Sequence, residues 1–167
     1  MYPETCNPAK NHPAYRDGRS LFEDTFRCRQ CHALVTTQFM FSGVNNRNHC
    51  PYCLWSRHVD LFEAGDRLSA CRSPMEPIGL TVKQRQNKYG TGKNGELMLI
   101  HYCEVCDKFS INRIAADDIS DKLMEVFHAS EELDSIKRGK LEACGIQVLQ
   151  GDDHQVVMCQ LWGNIWN

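Results

Sequence analysis

The sequence predicts an α+β fold: a small domain of β-hairpins and cysteine knuckles, extended by a C-terminal helix and one further β-hairpin. Three observations carry this expectation. Seven cysteines lie between positions 28 and 106, and six of them form Cys-x-x-Cys pairs: Cys28/Cys31, Cys50/Cys53 and Cys103/Cys106, with Cys71 standing alone. Residues 78–102 have the two-residue period of a hairpin, since Ile78, Leu80 and Val82 alternate with Gly79, Thr81 and Lys83 before a Gly- and Asn-rich turn at 91–95. Residues 118–144 place Leu123, Phe127, Leu133, Ile136 and Leu141 roughly on one side of a helix.

Taken in order, residues 1–24 read as an arm, because Asn7-Pro8, His12-Pro13 and Asp17-Gly18 are turn or extended signals without an apolar period. Residues 25–118 form the cysteine-rich domain. Its first unit, 25–56, has few apolar residues (Leu34, Val35, Phe39, Met40, Phe41 and Val44), too few for a core that stands alone. The residue after each pair is expected in a left-handed turn where its type tolerates one; His32 and Asp107 do, and Leu54 does not. The chain after Cys53 is therefore expected to enter a short helix carrying Leu54, His58, Leu61 and Phe62, stopped by Gly65. The hairpin of 78–102 delivers Cys103 directly into its pair, the layout of a zinc ribbon. Residues 119–167 are an acidic extension. Its helix, begun near Asp117, Asp118 and Asp121, stops at Gly145, and Ile146–Leu149 and Val156–Trp162 read as two strands around Gly151-Asp152-Asp153.

Two thiolate pairs fill the tetrahedron of a Zn²⁺ ion, so seven cysteines make one complete site and three-quarters of another. The spacing assigns Cys28, Cys31, Cys50 and Cys53 to site one and Cys71, Cys103 and Cys106 to site two, giving two Zn²⁺ per chain; an interleaved pairing of Cys28/Cys31 with Cys103/Cys106 also fits the composition. For the eighth ligand His58 leads and His101 follows, with His49 and Asp66 behind. On a helix after Cys53, His58 would sit about 140° around from that cysteine, turned from site one towards site two. His101 shares a strand face with Cys103, where it can ligate or shield the thiolates. Cys6, Cys144 and Cys159 have no partners by spacing and read as free thiols.

Charge divides the chain. Residues 1–93 hold 13 Lys/Arg against 8 Asp/Glu, and 94–167 hold 6 against 13. Arg27, Arg29, Arg47, Arg57, Arg67 and Arg72 cluster around the knuckles, interleaved with Phe26, Phe39, Phe41, Tyr52 and Trp55. Arginine suits phosphate and stacked bases, so these six are the expected nucleic-acid contacts. Ten cysteines without an apolar leader point to a reducing, cytoplasmic setting, and no apolar run reaches membrane-spanning length. Enzyme patterns are not met. The deaminase order of His-x-Glu before Pro-Cys-x-x-Cys fails, because Pro51 lies inside the pair and His58-Val59-Asp60 follows it. An HNH-type nuclease has no room between His49 and Cys50. No phosphate-binding loop or Gly-x-Ser-x-Gly elbow occurs, and no small-molecule substrate is expected.

Arg47-Asn48-His49-Cys50-Pro51 completes a resemblance. With Cys28-x-x-Cys31, Cys50-Pro51-Tyr52-Cys53-Leu54-Trp55-Ser56, His101-Tyr102-Cys103, Cys106 and Asn112–Asp118, the chain resembles the RNHCP domain family over about residues 25–118. The resemblance implies zinc binding and a likeness to small zinc-ribbon proteins of the translation and transcription machinery. The combined expectation is a structural zinc protein that binds structured RNA, with ribosomal RNA foremost. A protein adaptor reaching ribosomal or other proteins through the apolar C-terminus, and a zinc-dependent nuclease or hydrolase, are the alternatives.

Overall fold

A computed structural model describes residues 24–84 and 95–163. β1 (Thr25–Arg27) and β2 (Leu34–Thr36) form a two-stranded antiparallel sheet that pairs Phe26 with Val35. A single helical turn, α1 (Phe39–Ser42), ends at Gly43, whose φ of 66° glycine adopts without strain. The larger sheet is antiparallel in the order β3 (Ser56–Arg57), β4 (Pro74–Gln84), β5 (Gly95–Cys103), β6 (Lys108–Arg113). The expected hairpin is therefore present as β4 and β5, in a register that sets Leu80 opposite Leu99; its turn at 91–94, like the arm to residue 23, lies outside the described residues.

β5 is buried from Leu97 to Cys103 because both of its faces are covered. Leu97 and Leu99 face one way and join Leu54, Leu80, Leu123, Phe127, Leu149 and Val157 in the main core. Ile100 and Tyr102, one register position over, face the other way and pack with Ile78, Leu141 and Val148. Helices from the C-terminal part supply both layers, so residues beyond 118 share their core with the hairpin. Gly79 permits the approach: a Cβ there would lie 3.1 Å from Val148 and 3.3 Å from Ser130.

Three expectations need correction. The long helix of 118–144 is two helices, α2 (Ser120–Ala129) and α3 (Ser135–Ala143), separated by a 3₁₀ turn at Ser130–Glu132. Asp134 restarts the helix by accepting a hydrogen bond from the Lys137 amide at 2.8 Å, and Ile136 is left exposed. The C-terminal hairpin does not form among the described residues. Segment 146–150 runs extended and gives β4 one bond, Leu149 N–H to the Leu80 carbonyl at 2.8 Å, while 154–162 is a helix, α4 (His154–Trp162). Third, of the six apolar residues counted in the first unit, Val35 and Val44 are buried and Leu34, Phe39, Met40 and Phe41 are exposed, while Leu54 near its end joins the main core instead. That unit has even less core than its composition implies, which strengthens its need for a metal. Gly145 does end α3 in a left-handed turn, with φ 72°.

Candidate metal centres

All three Cys-x-x-Cys pairs fold into the same knuckle. In each, the fourth residue after the first cysteine returns its amide to that cysteine's carbonyl: His32 to Cys28 at 3.1 Å, Leu54 to Cys50 at 2.8 Å, Asp107 to Cys103 at 2.8 Å. Each of these residues is left-handed, with φ of 62°, 62° and 61°. The turn aims both sulfurs to one side. His32 and Asp107 behave as expected, whereas Leu54 overturns the expectation of a helix: the chain makes the knuckle and leaves as β3. A left-handed leucine costs about 1–2 kcal/mol. Complete burial of the Leu54 side chain in the main core returns about 1.5–3 kcal/mol, which offsets it.

The first two knuckles face each other. Cys28, Cys31, Cys50 and Cys53 have their sulfurs within 4.8 Å of one another, with Cys28 and Cys53 at 3.6 Å and Cys31 and Cys50 at 3.5 Å. A disulfide would need about 2.05 Å. The edge of a tetrahedron with metal–sulfur bonds of about 2.3 Å is about 3.8 Å. The spacing is thus that of sulfurs around one ion. The interleaved pairing is not the one formed. Burial pushes the Cys50 thiol up to about 11 and raises Cys53 too, aided by the neighbouring sulfurs.

The second set is His58, Cys71, Cys103 and Cys106, again within 4.8 Å. Cys71 and Cys103 sulfurs are 3.7 Å apart and His58 Nδ1 lies 3.1 Å from Cys106 Sγ. Hydrogen bonds from Ser73 lower the Cys71 thiol to about 6, and burial raises Cys106 to about 11. His58 is the residue expected here, reached by another route: it follows β3 directly, without a helix, and its amide bonds the Ser73 carbonyl at 2.9 Å. Both donor sets suit a tetrahedral, thiophilic ion, and each supplies four protein ligands.

The other candidates have different tasks. His101 is wholly buried between two partners: Nε2–H donates to the Leu54 carbonyl at 2.7 Å, and Nδ1 accepts from the Asn112 amide at 2.7 Å. Desolvation, then the nearby His49, depress its pKa to about 3, so the ring is neutral as this bonding requires. Asp66 organises a loop, accepting amides from Leu61, Phe62, Glu63 and Leu68 at 2.8–3.0 Å.

The Arg47–Pro51 segment is a clamp. Arg47 is buried; its guanidinium binds Asp117 at 2.7 and 2.8 Å and Asp118 at 3.1 Å, and its Nε–H donates to the His49 carbonyl. His49 Nε2 meets Asp118 at 2.9 Å, and the Ala115 amide adds a bond of 2.7 Å. Pro51's carbonyl accepts from the Ile119 amide. These contacts fasten the second knuckle to the loop between β6 and α2. Arg47 must therefore leave the set of expected nucleic-acid contacts, its charge being committed inside the protein. Sequence reasoning assigns Asp117 and Asp118 only a helix-start role; an acidic pair within a chain also carrying Arg47 and His49 is the available signal.

The remaining arginines stay at the surface or half-buried. Arg27 donates to the His32 carbonyl at 2.8 Å, Arg57 to the Arg72 carbonyl at 3.2 Å, and Arg72 to the Arg67 carbonyl at 2.8 Å. Only Arg67 of the five approaches a carboxylate, Asp60 at 3.7 Å, among the described residues. Partial burial, with Arg29 and Arg72 close by, holds the Arg57 guanidinium below its ordinary range. Between the first knuckle and β3, Arg27, Arg29, Arg57 and Arg67 line a groove of about 290 Å³.

Comparison with known proteins adds one finding. The family model for the RNHCP domain matches residues 23–124, which include all eight donors and the Arg47 clamp. No curated protein and no solved structure matches the chain.

Proposed function

Because the chain belongs to the RNHCP domain family, and its eight metal donors form two complete tetrahedral sets, we propose that it is a structural zinc protein that binds structured RNA on the ribosome, in the cytoplasm. The observation that carries this reading is the arrangement of Arg27, Arg29, Arg57, Arg67 and Arg72 on one metal-stapled scaffold, with a single carboxylate near them among the described residues. Four protein ligands per ion leave a tetrahedral zinc no open position for water or substrate, which favours scaffolding over catalysis. Thiolates supply zinc with charge and soft donors, and a reducing compartment keeps them available.

Co-sedimentation with ribosomes across a salt series tests the proposal. Binding should weaken steeply with salt. Replacing Arg29, Arg57 and Arg72 together by Gln should reduce the slope of log K against log salt by about 0.7–0.9 for each phosphate no longer neutralised. Association indifferent to salt and to RNase would overturn it. The adaptor reading has its own observation: Phe39, Met40 and Phe41 of α1 all face solvent, Met40 being 93% exposed. A Met40→Glu, Phe41→Glu variant that releases ribosomes while leaving naked-RNA affinity intact would favour a protein contact there.

A further inference from the structure

We propose that the groove between the first knuckle and β3 seats one unpaired nucleotide of the RNA. This rests on the RNA reading above and specifies what that surface recognises. The groove's lining includes Phe26 and Trp55 together with Arg27, Arg29, Arg57 and Arg67, and no Asp or Glu. Its volume of about 290 Å³ lies at the lower edge of the roughly 300–1,000 Å³ typical of small-ligand sites.

The two kinds of lining ask for one occupant. A bare phosphate would satisfy the arginines and leave the apolar wall offered by Phe26 and Trp55 facing water. An apolar ligand would use the aromatics and leave the guanidiniums without a counter-charge. A nucleotide answers both, its phosphate meeting planar guanidinium donors and its base an aromatic surface. The site is also built in advance. Carbonyls of His32 and Arg72 hold the guanidiniums of Arg27 and Arg57, so less side-chain freedom is lost on binding. The walls are a knuckle carrying the metal ligand Cys28 and a strand leading to the metal ligand His58. A base paired within a duplex would have to leave its stack to enter such a recess. An unpaired or bulged nucleotide need not.

The chain has three tryptophans. A Trp162→Phe, Trp166→Phe background leaves Trp55 as the sole reporter. Fluorescence titrations would use an RNA hairpin with a single bulged nucleotide, the same hairpin fully paired, and a nucleoside 5′-monophosphate. The bulged hairpin should bind about tenfold more tightly than the paired one, or better, and quench Trp55. Trp55→Ala, followed by the fluorescence anisotropy of end-labelled hairpins, should abolish that preference while both metal ions are retained. Arg57→Gln, at an exposed position, should weaken bulge binding without unfolding the chain, which keeps the test valid if Trp55→Ala is unstable. Equal affinity for the two hairpins with Trp55 unquenched would overturn the nucleotide seat and leave the RNA reading standing. Quenching by the monophosphate with neither hairpin bound would overturn the RNA reading and make the occupant a free nucleotide, not one in a strand.

Discussion

Cys28, Cys31, Cys50 and Cys53 come from 26 consecutive residues, whereas His58, Cys71, Cys103 and Cys106 are gathered across 49 from three strand ends and a connecting loop. The first set is two copies of one local turn placed face to face. The second needs β3, β4, β5 and β6 already in register, because the sheet carries its donors to one place. The first knuckle packs with little more than Val35, Phe26 and Ala33, and the main core reaches the first set through Leu54, whereas the sheet that gathers the second set is the one whose β4 and β5 carry that core. Metal would create structure at the first and be received by structure at the second.

Three experiments would break or sharpen that contrast. The largest effect should follow metal removal. Structural zinc supplies about 10–16 kcal/mol in small peptide domains, so chelation should unfold residues 24–57 and extinguish near-UV circular dichroism. Native mass spectrometry should find two zinc ions per wild-type chain, one in Cys50→Ser and one in His58→Ala, but two in His101→Ala. A second ion surviving His58→Ala would remove that histidine from the set. Next comes the clamp. Arg47→Met should destabilise the protein by about 3–5 kcal/mol in denaturant titrations, because buried Asp118 is left without its counter-charge. Adding Asp118→Asn should recover part of that stability. If Arg47→Met is neutral, the contacts of His49, Pro51 and Leu54 suffice to hold the second knuckle without the arginine. The smallest effect belongs to Asp66. Four backbone amides hold its carboxyl well below the usual carboxylate range. Its contribution is present above the unfolded value of about 4 and disappears as pH falls through the lower folded value. Asp66→Asn should speed amide exchange at Leu61, Phe62, Glu63 and Leu68 at neutral pH, and its deficit against wild type should shrink as the solution is acidified below about pH 4. A deficit independent of pH would mean the loop is held otherwise.

The same contrast explains how much of the molecule is legible in its sequence. Cys-x-x-Cys spacing is a local property, so the three pairs and the partners of the first set can be read from it, as can the hairpin that delivers Cys103. Where tertiary contacts outweigh local preference, the sequence misleads. Leu54 is a poor left-handed residue by type and takes that conformation because the core receives its side chain. The segment Val156–Trp162 has the composition of a strand, yet it is helical, with Val157 in the core that holds Phe127 and Leu149. Periodicity points to His58 through a helix that the chain does not form; its true warrant is its place at the end of β3. The buried task of Arg47 is hidden because its partners lie 70 and 71 residues away.

The bond from His101 to the Leu54 carbonyl joins the two centres. Leu54 closes the knuckle of the first set, and His101 stands two residues before Cys103 of the second. Thermodynamic reciprocity then applies: whatever help one ion gives to the binding of the other through this contact is returned in equal measure. With ions bound, filling either set would favour filling the other by the same factor, and a variant that loses one ion would hold the other less tightly.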